Sequence, residues 1–403
     1  MPITHDGVKL DVFQKCIDFK DADAVRDTGL YPYFRMIASG QDPVVTMNGQ
    51  RVIMLGSNNY LGLTNHPEVK QAAADALESY GTGTAGSRFL NGTLEIHVEL
   101  EEKLAQFMGR DAALTFSTGF AVNLGVISSL IGRKDVVILD NLDHACILDG
   151  ARLSFGRVLK YPHNDMASLE ERLRSVEDDR SKLIVVDGVF SMEGDLSDLP
   201  RIVELKNKFD ARLMVDDAHG IGVMGDHGRG TAEHFGLEDE ADLVMGTFSK
   251  SLAAVGGFVV GDSRVIDFIK HNARSLMFSA APPPASVATV IKAIEIIERE
   301  PERRQRLWDH TDYMKREFTT MGFDTGESES PVLPLVVGED MAAFMMTKRL
   351  QEEGVFANPV VSPGVPEGRA LMRTSYMATH TRDHLDRALD AFRKVGRELG
   401  IIA

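Results

Sequence analysis

The apolar residues of this chain fall into short continuous runs rather than long alternating stretches. Ala113-Leu114-Thr115-Phe116, Val136-Val137-Ile138-Leu139, Leu183-Ile184-Val185-Val186, Leu213-Met214-Val215, Leu243-Val244-Met245 and Phe258-Val259-Val260 are separated by segments of helical pattern. A run that is apolar on both sides of the pleat predicts a strand covered on both faces. Several such runs predict a largely parallel sheet flanked by helices, with function at the carboxyl ends of the strands. Upstream, Asn48-Gly49 between Val44-Val45 and Val52-Ile53 predicts a hairpin, and a helix is expected from Pro67 to Tyr80. Pro282-Pro283-Pro284 interrupts the chain before a helical region, Ser286 to Met321. The apolar run 331–337 and helices over Met341–Glu353 and Thr381–Leu399 follow. The expected organisation is an N-terminal segment (1–50), a large domain (51–281) and a smaller α+β domain (282–403), since 403 residues exceed one ordinary core.

Composition narrows the classes of partner. Apolar residues at 43% and charged residues at 26% are globular values. A formal charge of −16 argues against nucleic acid or an anionic membrane as the main partner, so an anionic substrate needs a local basic patch. Two cysteines, Cys16 and Cys146, are too few for a disulfide framework, and Met1-Pro2-Ile3-Thr4-His5-Asp6 lacks the pattern of a signal peptide. The apolar run after Phe120 is broken by Asn123, Ser128 and Ser129 before Arg133, too early to cross a bilayer. These features place the chain in the cytoplasm, with a peripheral membrane association left open.

Candidate chemistry collects at the ends of the predicted strands. Lys250, in Gly246-Thr247-Phe248-Ser249-Lys250-Ser251, follows one run, and Asp216, three residues before His219, ends another. A lysine amine that holds an aldehyde as a Schiff base, and a carboxylate that keeps a pyridine nitrogen protonated, are the two requirements of a pyridoxal phosphate site. Asp216 at a strand end reads as a buried carboxylate facing that nitrogen rather than as a helix cap. Ser117-Thr118-Gly119-Phe120, between a strand and a helix, offers free N–H groups for a phosphate, and Thr247 and Ser249 add hydroxyls beside Lys250. His144 stands just beyond the strand ending at Leu139, where an imidazole can stack on a planar ring and reach the substrate. Arg373, on a predicted strand, is either a surface ion pair or a fork for a substrate carboxylate.

Two other patterns are set aside. Gly81-Thr82-Gly83-Thr84-Ala85-Gly86 and Gly220-Ile221-Gly222-Val223-Met224-Gly225 satisfy the dinucleotide fingerprint literally, but the first follows a helix and the second leads into Asp226-His227-Gly228-Arg229-Gly230. Asp143 with His144, and Asp217 with His219, fall short of the three or more ligands that a metal site gathers, so no metal is expected.

Through these residues the chain resembles the α-oxoamine synthases, fold-type I pyridoxal phosphate enzymes that join an amino acid to an acyl-coenzyme A with loss of carbon dioxide. The resemblance runs from Gly56-Ser57-Asn58-Asn59-Tyr60-Leu61-Gly62-Leu63 to Ala378-Thr379-His380-Thr381. Gly29-Leu30-Tyr31-Pro32-Tyr33-Phe34-Arg35 and Gly86-Ser87-Arg88-Phe89-Leu90-Asn91-Gly92-Thr93 resemble the members that use L-serine and palmitoyl-coenzyme A to make 3-oxosphinganine. Members using glycine with acetyl-coenzyme A or alanine with pimeloyl-coenzyme A are the nearest alternatives. A non-catalytic partner subunit and an aminotransferase stand further off.

The resemblance implies an α/β fold of fold-type I, a mostly parallel central sheet with a smaller C-terminal domain, and a homodimer with active sites at the interface. It gives Lys250 the Schiff base and proton removal, Asp216 the pyridine nitrogen, and His219 with Ser191 the phenolic oxygen. His144 stacks over the ring and orients the reacting groups. Gly119, Phe120, Thr247 and Ser249 match phosphate positions, and Ser279 matches one contributed across the dimer. Arg373 takes the substrate carboxylate, and Asn59 lies near the coenzyme A entrance. The departures are Cys146, where serine is usual, and Phe120, where some relatives have tyrosine.

Overall fold

The computed structural model describes residues 11–403, so the Met1–Asp6 segment read for targeting lies outside the described residues. Two short helices, α1 (Gln14–Ile17) and α2 (Asp21–Asp27), precede the hairpin strands β1 (Val44–Met47) and β2 (Gln50–Met54). Helices α3 (Pro67–Tyr80) and α4 (Glu95–Met108) lead to β3 (Ala112–Phe116). Helices and strands then alternate: α5 (Gly119–Leu130), β4 (Val136–Asp140), α6 (Ala145–Leu153), β5 (Arg157–Tyr161), α7 (Met166–Arg174), β6 (Lys182–Asp187), α8 (Leu199–Lys208), β7 (Arg212–Asp216), α9 (Thr231–His234) and β8 (Leu243–Thr247). After β9 (Gly257–Gly261) come α10 (Ser263–Asn272), α11 (Arg274–Met277), α12 (Pro284–Arg299) and α13 (Glu302–Met321). The chain closes with β10 (Val332–Gly338), α14 (Asp340–Glu352), β11 (Val355–Phe356), β12 (Asn358–Val360), β13 (Ala370–Ser375) and α15 (Arg382–Glu398).

The main sheet has seven strands in the order β3-β9-β8-β7-β6-β4-β5. Strands β8, β7, β6, β4 and β5 are parallel, as continuous apolar runs predict. Every residue of β4, β8 and β9 is buried, and two hydrophobic clusters pack the helices onto the sheet. Strand β9 departs from the expectation by running antiparallel to both β3 and β8. The cause is the connection 248–256, which contains no helix and is shorter than the roughly dozen residues that a parallel crossover needs. Ser249 and Lys250 ride on that tight return.

The N-terminal hairpin pairs Met47 with Gln50 across Asn48 (φ +49°) and Gly49 (φ +78°), the two positive φ values that a tight hairpin turn requires. Strand β11 extends this hairpin in parallel to β2, while β10, β13 and β12 form a separate antiparallel sheet carrying Arg373. The region expected as one long helix from Ser286 to Met321 is two, α12 and α13. Pro301 breaks it by holding Glu300 out of the helical region (φ −122°, ψ 62°). Helix α12 packs on α3 and α4, and α13 on α15. Among the described residues no helix is long and apolar enough to cross a membrane.

The loop 81–93 is held down by a buried ion pair. Arg88 donates to both carboxylate oxygens of Glu101 in α4, at 2.8 and 2.9 Å, and to Thr115 Oγ1 of β3 at 2.7 Å. The two side chains are only 5% and 12% exposed. Gly86 is joined in turn to Ala281, whose N–H donates to its carbonyl at 2.9 Å. Glu101→Gln is expected to lower the unfolding free energy by about 3 kcal/mol, because it leaves Arg88 buried without its counter-charge. Urea denaturation measures this, and a loss below about 1 kcal/mol would mean that the pair behaves as an exposed one.

Candidate active site

The carboxyl ends of β4, β6, β7 and β8 open onto a cavity of about 570 Å³. Its wall includes Lys250, Asp216, His219, His144, Arg373 and Ser191, with Thr118, Gly119, Phe120, Thr247 and Ser249 at one end. Residues from six separate segments of the sequence are thus gathered around one space.

Asp216 ends β7 and is 3% exposed. Its Oδ2 accepts from Asn123 Nδ2 at 2.6 Å and its Oδ1 from the Ala218 N–H at 3.0 Å. Lys250 lines the same cavity, and its amine is buried. Burial pulls the amine down to about 8, and Arg373 adds to this while Asp216 and Asp187 oppose it. Such an amine has a sizeable neutral fraction near physiological pH, which a nucleophile or base needs.

His144 caps the N-terminus of α6, and its backbone N–H donates to Asp187 Oδ2 at 2.8 Å. Burial holds its imidazole below the usual histidine range, and the edge of Phe120 stands 6.5 Å from it, centroid to centroid. His219 Nδ1 lies 2.7 Å from the Tyr60 hydroxyl. Burial, with Lys250 and Arg373 nearby, keeps this ring neutral by lowering it well below the usual range. Ser191 sits on a loop fastened by His163, whose ring bridges Asp140 at 3.1 Å and Asp195 at 2.7 Å.

Arg373, in β13, is 5% exposed and donates to the Ser191 carbonyl at 2.6 Å and to Asn58 Oδ1 at 3.0 Å. Both partners are neutral oxygens, so among the described residues its charge is not spent on a carboxylate. The surface ion pair is thereby set aside, and the guanidinium is available to an anion in the cavity.

At the other end, α5 begins at Gly119, with the Thr118 hydroxyl accepting from the Ala121 N–H at 3.1 Å. A Cβ at Gly119 would lie 2.7 Å from Thr247 Oγ1, so only glycine lets the helix start sit this close to β8. Thr247 and Ser249 hydroxyls lie 3.0 Å apart beside it. Free helical N–H groups, a missing side chain and two hydroxyls form a cradle for a phosphate. With an enclosed lysine amine and a buried carboxylate on either side, this donor set fits pyridoxal phosphate.

Three sequence-predicted residues lie off this wall. Asn59, expected near a coenzyme A entrance, donates from its side chain to Thr64 Oγ1 at 2.7 Å and to the Gln41 carbonyl, and accepts from the Leu63 N–H at 3.1 Å. It shapes a turn, and its neighbour Asn58 reaches the cavity instead. Ser117 donates to the Ala280 carbonyl at 2.5 Å, and Ser279 is half-buried away from the cavity. Sequence reasoning missed Asn58, Asp187, Asn358 and the place of Cys146 in the wall. Asp187 was legible as the polar end of an apolar run, like Asp216. Asn58 carried no signal that separated it from Asn59.

Residues 50–392 match the aminotransferase class I and II family. The chain belongs to that family. It is 55% identical to serine palmitoyltransferase of Sphingobacterium spiritivorum, over 95% of this chain and 96% of that one. It is 45% identical to 8-amino-7-oxononanoate synthase of Thermoanaerobacter pseudethanolicus, over 94% and 96%. A solved structure of a lysine-to-alanine variant of serine palmitoyltransferase from S. paucimobilis, with a bound PLP–myriocin aldimine, matches it with a TM-score of 0.94. That match has 36% identity and covers 98% of this chain and 100% of the other. The fold is therefore that of the fold-type I transferases, and the α-oxoamine synthase resemblance is borne out.

The position of Lys250 yields a pH dependence. In the cofactor-free protein, reactivity of Lys250 toward a small acylating reagent is expected to rise with pH around a midpoint near 8. Asp216→Asn should move that midpoint down, because Asp216 favours the ammonium. Peptide-resolved labelling across pH measures both, and a midpoint in the ordinary lysine range would show that the amine is not enclosed.

Proposed function

We propose that this family member binds pyridoxal phosphate and condenses L-serine with a long-chain acyl-coenzyme A, palmitoyl-coenzyme A foremost, releasing carbon dioxide and coenzyme A and giving 3-oxosphinganine. The observation that carries the reading is the joining of Lys250, Asp216 and an unpaired Arg373 on one cavity wall. The higher identity to a serine palmitoyltransferase than to an 8-amino-7-oxononanoate synthase favours serine and a long acyl chain.

Asp216 would face the ring nitrogen of the cofactor, Lys250 its aldehyde, His219 and Ser191 its phenolic oxygen, and the start of α5 with Thr247 and Ser249 its phosphate. When bound, the cofactor supplies an electron sink for the charge left on serine by loss of its α-proton. Arg373 takes the serine carboxylate with the guanidinium N–H groups not spent on Ser191 and Asn58, and so fixes which α-substituent points at Lys250. Lys250 accepts the α-proton at Nζ, a role suited to an amine brought to about 8. His144, neutral at the cavity face, holds an oxygen of the carboxylate or thioester.

A second copy of the chain completes the assembly. Phe89, Leu90 and Phe278 are 48%, 78% and 73% exposed around the Gly86–Ala281 contact. Apolar side chains so placed favour a covered face, and Ser279, beside Phe278 and off this cavity, would serve the partner's phosphate. Two cysteines, both free, accord with the cytoplasm.

The test is a panel of serine, glycine and alanine, each against acetyl-, pimeloyl- and palmitoyl-coenzyme A. Serine with palmitoyl-coenzyme A is expected to lead in kcat/KM by about tenfold or more. Alanine with pimeloyl-coenzyme A in the lead would replace this reading by the 8-amino-7-oxononanoate one. Arg373→Ala is expected to raise the KM for serine about a hundredfold, with Arg373→Lys recovering part of it because charge survives without the fork. Unchanged serine affinity would remove Arg373 from the site. Light scattering is expected to give two chains per particle, and a fully active single chain would overturn the shared site.

A further inference from the structure

Helices α5 and α6 bring two further side chains beneath His144. A Cβ at Gly150 of α6 would lie 2.7 Å from the Asn123 carbonyl oxygen of α5, so glycine permits this approach. It sets Asn123, fully buried, against Cys146, 4% exposed. Asn123 Nδ2 donates to Asp216 Oδ2 at 2.6 Å and to Cys146 Sγ at 3.0 Å. Cys146 Sγ lies 2.8 Å from His144 Nδ1, and the Cys146 backbone N–H donates to the same nitrogen at 3.3 Å.

Two of these contacts fix the direction of the bonds. A backbone N–H is only ever a donor, so His144 Nδ1 is an acceptor, and the proton of a neutral ring must sit on Nε2. The Asn123 amide is oriented just as firmly. Turned over, its oxygen would face the Asp216 carboxylate at 2.6 Å, oxygen to oxygen. Held as it is, it spends both N–H bonds and leaves Oδ1 buried without a partner among the described residues. An orphaned buried carbonyl is destabilising, so the orientation is kept by what the N–H groups hold.

We propose that Asn123 and Cys146 form a hydrogen-bond relay that joins Asp216 to His144 and fixes the His144 proton on Nε2, so that this ring meets the substrate as a donor. The role rests on the reading of the cavity as a cofactor site, and both residues are positioning residues. Cys146 accepts from Asn123 and donates its S–H to Nδ1, whose single lone pair it shares with the longer bond from the Cys146 backbone N–H. Burial pushes the thiol up and so keeps that hydrogen in place. The groups facing His144 are Asp216, which favours its protonation, and Lys250 and His219, which oppose it, while Asp187 holds its backbone. Cysteine, where the sequence resemblance places serine, keeps both a donor and an acceptor at this point.

The experiment is ¹⁵N NMR of the cofactor-loaded, histidine-labelled protein, with the His144 signals assigned by their loss in His144→Asn. Wild type is expected to show the Nε2–H tautomer at neutral pH. In Cys146→Ala the His144 titration should move to higher pH, because the S–H bond that favours the neutral ring is gone. Cys146→Ser should bring it back toward wild type. Turnover should follow the same order, with Cys146→Ala losing about tenfold or more in kcat and changing the KM for serine by less than about threefold. An Nδ1–H tautomer in wild type, or one titration midpoint shared by all three proteins, would overturn the relay. The ring signals do not depend on which amino acid or acyl group is used. A correct tautomer in a protein that fails to condense serine would refute the proposed substrate and leave the relay standing.

Discussion

Asp216 is buried at the end of β7 with no cation bonded to it among the described residues, and the rest of the site is arranged around that carboxylate. An unpaired buried charge is destabilising by several kcal/mol, so something must compensate it. Within the chain, the Asn123 amide and the Ala218 N–H do part of this. Asp143 and Asp187 stand close by, and burial first, then the neighbouring carboxylates, push both well above the usual carboxylate range. A floor of this kind suits a flat, cationic ring nitrogen. The same field holds back the fall in the Lys250 pKa, so that burial brings the amine near neutrality without removing its proton altogether.

The sheet converts this constraint into a site. Five parallel strands place their carboxyl ends side by side, which brings Asp140, Asp187, Asp216 and Thr247 to one edge though they are far apart in sequence. The return from β8 to reversed β9 presents Lys250 at that edge without an intervening helix. Arg373 arrives from a different sheet, held by a backbone carbonyl and an asparagine rather than by an acid. Its charge is thus stored for a ligand, where an exposed arginine would have been neutralised by one of the chain's many carboxylates.

Much of this was legible before the structure. Continuous apolar runs marked the buried strands, and polar residues at their ends marked Asp216 and the approach to Lys250. The helix Pro67–Tyr80 and the Asn48-Gly49 hairpin have strong local signals and stand where the sequence places them. Failures came where tertiary context decides. The direction of β9 depends on what connects it, not on its own residues. Pro301 was readable as a breaker inside Ser286–Met321 and outweighs the apolar periodicity there. Asn58 and Asn59 are adjacent and chemically identical, and only the turn that absorbs Asn59 separates them. Asn123, inside the apolar run after Phe120, interrupted a hydrophobic pattern; its partner Asp216 is 93 positions away. A lone polar residue in a buried helix is the signal that would have drawn attention to it.

The arrangement of the site requires that Lys250, and no other lysine, carry the cofactor. Borohydride reduction of the pyridoxal phosphate-loaded protein, followed by digestion and mass spectrometry of the phosphopyridoxyl peptide, tests it most directly. The expected result is a single label on Lys250, lost together with the visible absorbance in Lys250→Ala. A label on another lysine, or none on a protein that binds the cofactor, would contradict the arrangement of the site from Asp216 outward.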